Sequence, residues 1–242
     1  MELSNRLKAV AGLVSAGNTV CDVGCDHGYV PIYLIQNGIC GRVIAMDVNA
    51  GPLARAREHI ESAALGEYIE IRQSDGVAAL GYEEAKSLIL AGMGGRLTMR
   101  ILTEGMEKVQ ALEELILQPQ SDVEAVRVFL RDIGFEIVQE DMVYEDGKYY
   151  PMMRACPVSG ERHGVGTEMV RQQAVDRYGP YLLAHRHPVL YAYLRWEQER
   201  EEAIREGILA HAGQMRSANC SRLAELDASE RIRKYALTCF AN

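Results

Sequence analysis

Two carboxylates, a histidine and two glycines stand within seven residues of each other in Asp22-Val23-Gly24-Cys25-Asp26-His27-Gly28, directly after the apolar residues Val20 and Cys21. A glycine two positions past the end of a strand lets backbone approach a bound nucleotide-like group with no side chain between them. A dinucleotide fingerprint, Gly-x-Gly-x-x-Gly, would place its second glycine at position 26, where the pyrophosphate closes on the helix that follows. Asp26 stands there instead. Its charge repels a pyrophosphate and attracts a sulfonium or an amino group, so the turn suits S-adenosylmethionine better than NAD. Twenty-five residues past Asp22 comes Asp47, followed by Val48, at the end of the apolar run 43–46. A carboxylate so placed accepts hydrogen bonds from the hydroxyls of a ribose, a feature that both cofactors share. Ser74-Asp75-Gly76 ends a further strand and can read an adenine edge, Asp75 accepting from the amino group. Ala91-Gly92-Met93-Gly94-Gly95 leaves room where a substrate and a cofactor could meet, and Gln118-Pro119-Gln120 ends the next strand in a polar turn.

These segments need a scaffold, and the hydrophobic periodicity supplies one. Leu3, Leu7, Val10, Leu13 and Val14 recur at helical spacing over 3–15, and Tyr29-Val30-Pro31-Ile32 opens a second helix. Strands are expected around Val20–Asp22, Arg42–Asp47, Tyr68–Arg72, Ser87–Ala91 and Glu114–Gln118, with helices over Leu53–Ala64, Arg96–Val109 and Asp122–Ile133 between them. A hairpin turning at Asp146-Gly147 joins 135–144 to 148–155. Strand and helix alternating, closed by a hairpin, is an α/β pattern. Cys156 to Gly166, with Pro157, Gly160, Gly164 and Gly166, marks a boundary, so that 1–158 forms the cofactor-binding domain and 159–242 a helical, coiled-coil domain. Two long helices are expected in that second part, Pro188–Ala212 and Ala218–Phe240, folded back on each other as a hairpin that serves as a substrate-binding arm or an oligomerisation device.

Composition bounds the function further. The 242 residues carry a formal net charge of −8, against bulk electrostatic binding of nucleic acid, but the charge is unevenly spread. Residues 1–158 hold 14 Lys and Arg against 23 Asp and Glu, whereas 159–242 hold 12 against 11 and four of the six histidines. A polyanion therefore suits the C-terminal part, where Arg171, Arg177, Arg186 and Arg195, with His185 and His187, offer phosphate contacts. The six cysteines show no Cys-x-x-Cys pair and no zinc-ligand spacing, which predicts free thiols and no metal. Neither a signal peptide nor an apolar run long enough to span a membrane is evident, and a cytoplasmic location is expected.

Taken together, Leu3-Ser4-Asn5-Arg6-Leu7, Asp22 to Pro31, Asp47, Asp75-Gly76, Ala91 to Gly95 and Leu117-Gln118-Pro119-Gln120 resemble the bacterial tRNA (adenine(22)-N(1))-methyltransferase family, often called TrmK. The resemblance runs over essentially the whole chain, with departures at Cys25 and Gln120, where many relatives carry serine and asparagine. It implies a class I methyltransferase core, a Rossmann-like and mostly parallel seven-stranded sheet, with a C-terminal coiled-coil domain and tRNA as partner. Gly24, Asp26, His27 and Gly28 would surround the methionine end of S-adenosylmethionine, with Asp22 beneath them. Asp47 and Val48 would take the ribose, Asp75 and Gly76 the adenine, and Gly92 and Met93 would complete the cofactor site. Gly94, Gly95, Gln118 and Pro119 would receive the target base. Asp26 or His27 would polarise the exocyclic amine, or serve only to bind the cofactor. Two other readings use the same sheet: a nicotinamide-dependent oxidoreductase, and a non-catalytic module binding S-adenosylmethionine or RNA.

Overall fold

The computed structural model describes residues 3–158, 169–210 and 217–241. The chain divides into two compact units, Met1–Arg162 and His163–Asn242. Much of the boundary expected between Cys156 and Gly166 lies outside the described residues, as does the turn between the two long C-terminal helices.

In the first unit, helix α1 (Asn5–Gly12) precedes strand β1 (Val20–Val23), and there follow α2 (Tyr29–Gln36), β2 (Val43–Asp47), α3 (Ala50–Ser62), β3 (Ile69–Gln73), β4 (Ser87–Met93) and α4 (Gly95–Glu104), with no helix between β3 and β4. Then come α5 (Met106–Val109), β5 (Glu114–Pro119), α6 (Val123–Asp132) and the hairpin β6 (Phe135–Glu145) with β7 (Lys148–Pro157). The seven strands lie in the order β3-β2-β1-β4-β5-β7-β6. The first five are mutually parallel, and β7 joins β5 antiparallel. This is the mostly parallel seven-stranded sheet expected, and its β1–β4 junction is where the strand order reverses and a ligand crevice opens.

Strand pleating explains the layers. Successive residues face opposite sides, so Cys21, Val23, Leu88, Leu90, Leu115 and Leu117 share one core with Ile101 and Leu102 of α4 and Val126 and Leu130 of α6. Val20, Ile89 and Ile116 face the other core, with Val10 and Ala11 of α1, Leu34 of α2 and Ala56 and Ile60 of α3. Burial on both faces is why β1, β2 and β5 read as nearly unbroken apolar runs. At the amino end of the sheet, Glu114 is buried and accepts from Ser15 Oγ at 2.6 Å and Ser87 Oγ at 2.6 Å, pinning the loop after α1 to β4 and β5 and leaving the carboxyl end for chemistry.

Three local expectations need correction. Helix α1 is shorter than 3–15, because Ser4 caps it by accepting from the Leu7 N–H. The single helix expected over Arg96–Val109 is broken at Gly105, where a Cβ would collide with Cγ2 of Val77, so close packing rather than propensity sets the break. In the second unit α7 (Met169–Tyr178) and α8 (Pro180–Ala184) precede the two long helices, α9 (Pro188–Ala210) and α10 (Ser217–Thr238). Helix α10 packs on both α7 and α9, so its partner is not the α9 seam alone.

Candidate active site

The carboxyl ends of β1, β2 and β4 converge on the glycine turn. Gly24 (φ +78°) and Gly28 (φ +73°) are both left-handed, and between them Asp26 takes φ +48°, a conformation uncommon for a residue with a side chain. A Cβ on Gly24 would meet the Met93 methyl, so the end of β4 bounds the space above the turn, and the left-handed backbone disfavours any side chain there. Gly28 caps α2 without a side-chain hydrogen bond and lies against Ala56 of α3.

Three carboxylates surround this cradle. Asp22 is 4% exposed, and no protein group among the described residues donates a hydrogen bond to its side chain. Burial, and then the Asp47 carboxylate, push its carboxyl up to about 7. Asp47, also buried, accepts the Asn49 N–H at 2.8 Å. Asp26 is largely exposed, 3.5 Å from His27 Nε2 and 3.8 Å from Arg55 Nη2. The His27 ring stacks on Tyr29 with centroids 5.2 Å apart and on His59 at 5.8 Å, and its Nδ1 is buried without a hydrogen-bond partner. A buried acid with no donor, beside a second acid and an orphaned imidazole nitrogen, fits a ligand bearing positive charge and donors, as the ammonium and sulfonium of S-adenosylmethionine do. It disfavours a pyrophosphate.

Farther along the edge, Val48 is 53% exposed, and its carbonyl accepts from Gln73 Nε2 at 3.0 Å, holding an apolar side chain out beside Asp47. Asp75 is held by Arg100 at 3.2 Å, and Gly76 (φ +55°) packs on Ile101. Gly92 (φ +80°) lets β4 bulge against β5, and the Gln120 N–H donates to the Met93 carbonyl at 2.7 Å, closing the Gly92–Gly94 loop over Pro119.

Several residues singled out from the sequence have other work here. Gln118 is fully buried, and its Oε1 accepts from Arg6 Nη1 at 2.7 Å, so its amide does not face an incoming base. Gly95 is buried in the first turn of α4, and a Cβ there would collide with the Ser121 carbonyl, which makes its glycine a packing requirement; Gly94, just outside, is the helix cap. In the second unit Arg177 donates to Glu197 at 2.7 Å and lies 3.8 Å from Glu201, inside a cluster that also contains Tyr178, Tyr193 and Arg233. Its charge is spent on that internal network. Arg171, Arg186 and Arg195 are exposed, as is His185, while His187 is half-buried.

Arg6, Arg55, His59 and Tyr150 border the site and were given no site role from the sequence, although Arg6 stands in the Leu3–Leu7 segment that carries the family resemblance. The Leu3–Leu7 motif marks Arg6 but not its partner, because Gln118 lies 112 residues away. For Arg55 and His59 a trace existed, since both fall in the helix that must follow Asp47. Among the described residues no group of three His, Cys, Asp or Glu side chains could hold a metal, and no helix is long and apolar enough to cross a membrane.

Residues 3–153 match the family described as "Methyltransferase domain". The chain is 32% identical over 199 residues to the tRNA (adenine(22)-N(1))-methyltransferase of Bacillus subtilis (strain 168), covering 82% of each protein. It superposes with a TM-score of 0.83 on the crystal structure of the B. subtilis m1A22 tRNA methyltransferase TrmK, at 30% identity over 97% of this chain and 98% of that one. Streptococcus pneumoniae Sp1610, solved in complex with S-adenosyl-L-methionine, gives a TM-score of 0.78 at 32% identity over 96% of this chain and 100% of that one.

Proposed function

This chain belongs to the tRNA (adenine(22)-N(1))-methyltransferase family, and on that premise we propose that it transfers a methyl group from S-adenosylmethionine to N1 of adenine 22 in the D-loop of tRNA. The observation that carries the reading is the acid-lined glycine cradle, in which buried Asp22 and Asp47 stand beside a turn whose two glycines are left-handed. S-adenosylmethionine supplies, when bound, an electrophilic methyl group on a positively charged sulfur.

The residues of the chain then have three tasks. Asp22, Gly24, Asp26, His27 and Gly28 hold the methionine end, Asp47 and Val48 the ribose, Asp75 and Gly76 the adenine, and Gly92 and Met93 close the cradle. The second task is alignment. N1 of adenine is unprotonated at neutral pH and already nucleophilic, so orientation contributes more than a strong base would. Positive charge appears on the target ring as the methyl arrives, and Asp26 or His27, 3.5 Å apart in the turn, stabilises it by polarising the exocyclic amine. Third, the base must leave its stack, at a cost of a few kcal/mol, and the Gly92–Gly94 loop over Pro119 gives it an entrance. The second unit holds the tRNA backbone through exposed arginines such as Arg171, Arg186 and Arg195, with Arg177 reserved for the internal cluster. Such work places the protein in the cytoplasm, with its substrate.

The test is incubation with labelled S-adenosylmethionine and unmodified tRNA, followed by nucleoside analysis. The expected product is one 1-methyladenosine per tRNA, abolished by an A22→G tRNA. Transfer to another atom or base, or none, refutes the proposal.

A further inference from the structure

One face of α3 lies against the glycine turn, and its contacts fall on three consecutive residues there. Arg55 Nη2 is 3.8 Å from Asp26, His59 Nδ1 is 2.9 Å from the His27 carbonyl oxygen, and a Cβ on Gly28 would sit 3.2 Å from the Ala56 Cβ. Positions 55, 56 and 59 share that face by helical spacing. A carbonyl oxygen only accepts, so Nδ1 of His59 carries the proton and the ring donates to the main chain of the turn. The same ring lies close to parallel with Tyr29, centroids 5.1 Å apart at 23°, and with His27, at 5.8 Å and 29°.

The two halves of the turn are anchored differently. Gly24 and Cys25 both donate their N–H groups to the Met46 carbonyl, at 2.8 and 3.0 Å, so β2 fixes the first half. The Gly28 N–H closes on the Cys25 carbonyl at 2.8 Å, which leaves Asp26 and His27 at the centre of the turn with no strand partner among the described residues. Asp26 also takes φ +48°, a conformation that persists only where the surroundings hold it. The Arg55–Asp26 contact holds it weakly, because both side chains are half or more exposed and solvent screens the pair. Among the described residues His59 is the one side chain that bonds the main chain anywhere in 24–28.

This division separates binding from chemistry. The half of the turn that β2 holds stands beside Asp22 and Asp47, whereas the half that α3 holds carries Asp26 and His27, the pair that meets the exocyclic amine of the target base. Orientation governs that meeting, and a misplacement of roughly 1 Å costs on the order of a hundredfold in rate. We propose that His59 is a positioning residue for methyl transfer: through the His27 carbonyl and the ring contacts it keeps Asp26 and His27 in the conformation that the transfer step needs. The role rests on adenine methylation being the reaction.

The test is steady-state methylation of unmodified tRNA by the full chain, with S-adenosylmethionine affinity measured separately by calorimetry. His59→Ala removes donor and ring together and should lower kcat about tenfold or more, while the KM for tRNA and the Kd of the cofactor stay within about twofold. His59→Asn puts an amide N–H where Nδ1 was and should recover most of the lost turnover. His59→Phe keeps a ring without a donor and should not. A phenylalanine variant as active as the wild type, or an asparagine variant no better than the phenylalanine one, overturns the role even if the alanine variant fails to fold. So does a loss of cofactor affinity as large as the loss of kcat, because His59 would then serve binding. A wild-type protein that forms no 1-methyladenosine removes the methylation reading and the role with it; where the wild type forms it, the variants decide the role alone.

Discussion

Asp22→Asn should make the cofactor-free protein more stable at neutral pH while weakening its hold on the cofactor. Asp22 is 4% exposed, lies in the field of Asp47 and accepts no protein hydrogen bond among the described residues, so its charge is buried at a cost. Its carboxyl titrates near 7 in the folded chain against an ordinary value of 3.8. That difference, about three pH units at about 1.4 kcal/mol each, sets a ceiling of about 4 kcal/mol on the destabilisation. The sign follows from proton uptake: the native state keeps a proton that the unfolded chain has released. Native stability contributed by protonated Asp22 is thus full below about pH 4 and lost as pH rises through 7. Asparagine does not titrate, so the variant should match the wild type near pH 4 and exceed it by about 2–4 kcal/mol at pH 8. Urea denaturation of both proteins without cofactor, from pH 4.5 to 8.5, reads the gap directly. Saturating S-adenosylmethionine should narrow it, since the ligand's positive charge offsets the wild-type carboxylate but has nothing to offset in the variant. A stability difference that does not change with pH would refute the reasoning, because the burial cost would then not be one of ionisation.

Asp47→Ala should weaken S-adenosylmethionine binding by about 1–3 kcal/mol in calorimetry through loss of charge-assisted hydrogen bonds, and an unchanged affinity would remove Asp47 from the site. Gly24→Ala combines a left-handed backbone with a methyl driven into the Met93 side chain; it should reduce cofactor affinity at least tenfold, or about 1.4 kcal/mol, and a near-normal dissociation constant would show that the cradle is not used. A chain ending near Ser159 should fold and bind S-adenosylmethionine yet lose tRNA affinity and methylation. If it methylates normally but changes its mass in solution, the C-terminal helices are an assembly device instead. In the full chain, replacing Arg186 or Arg195 should flatten the salt dependence of tRNA binding by about one unit of slope, read by filter binding over a salt series.

Much of the first unit was legible because its information is local. The apolar strands at Val20, Val43, Ser87 and Glu114, the glycine turn after Asp22 and the carboxylate at Asp47 announce themselves by periodicity and by residues that only certain backbone conformations tolerate. Asp26 in place of a glycine separated the cofactor classes on charge alone. Tertiary structure decided what those residues are free to do. Gln118 reads as a polar strand end facing substrate, but folding buries it and gives its oxygen to Arg6, 112 residues earlier. Arg177 reads as a spare cation in a balanced segment, but α9 brings Glu197 to it. Gly95 reads as room for a substrate and Gly105 as an interior position of one helix, yet one makes way for the Ser121 carbonyl and the other for Val77. The division has a physical basis. Sequence pattern fixes each element's backbone conformation and buried face through neighbours a few residues away. Which charge is cancelled, and which is left facing the crevice, depends on pairings between side chains that only the packed sheet brings together.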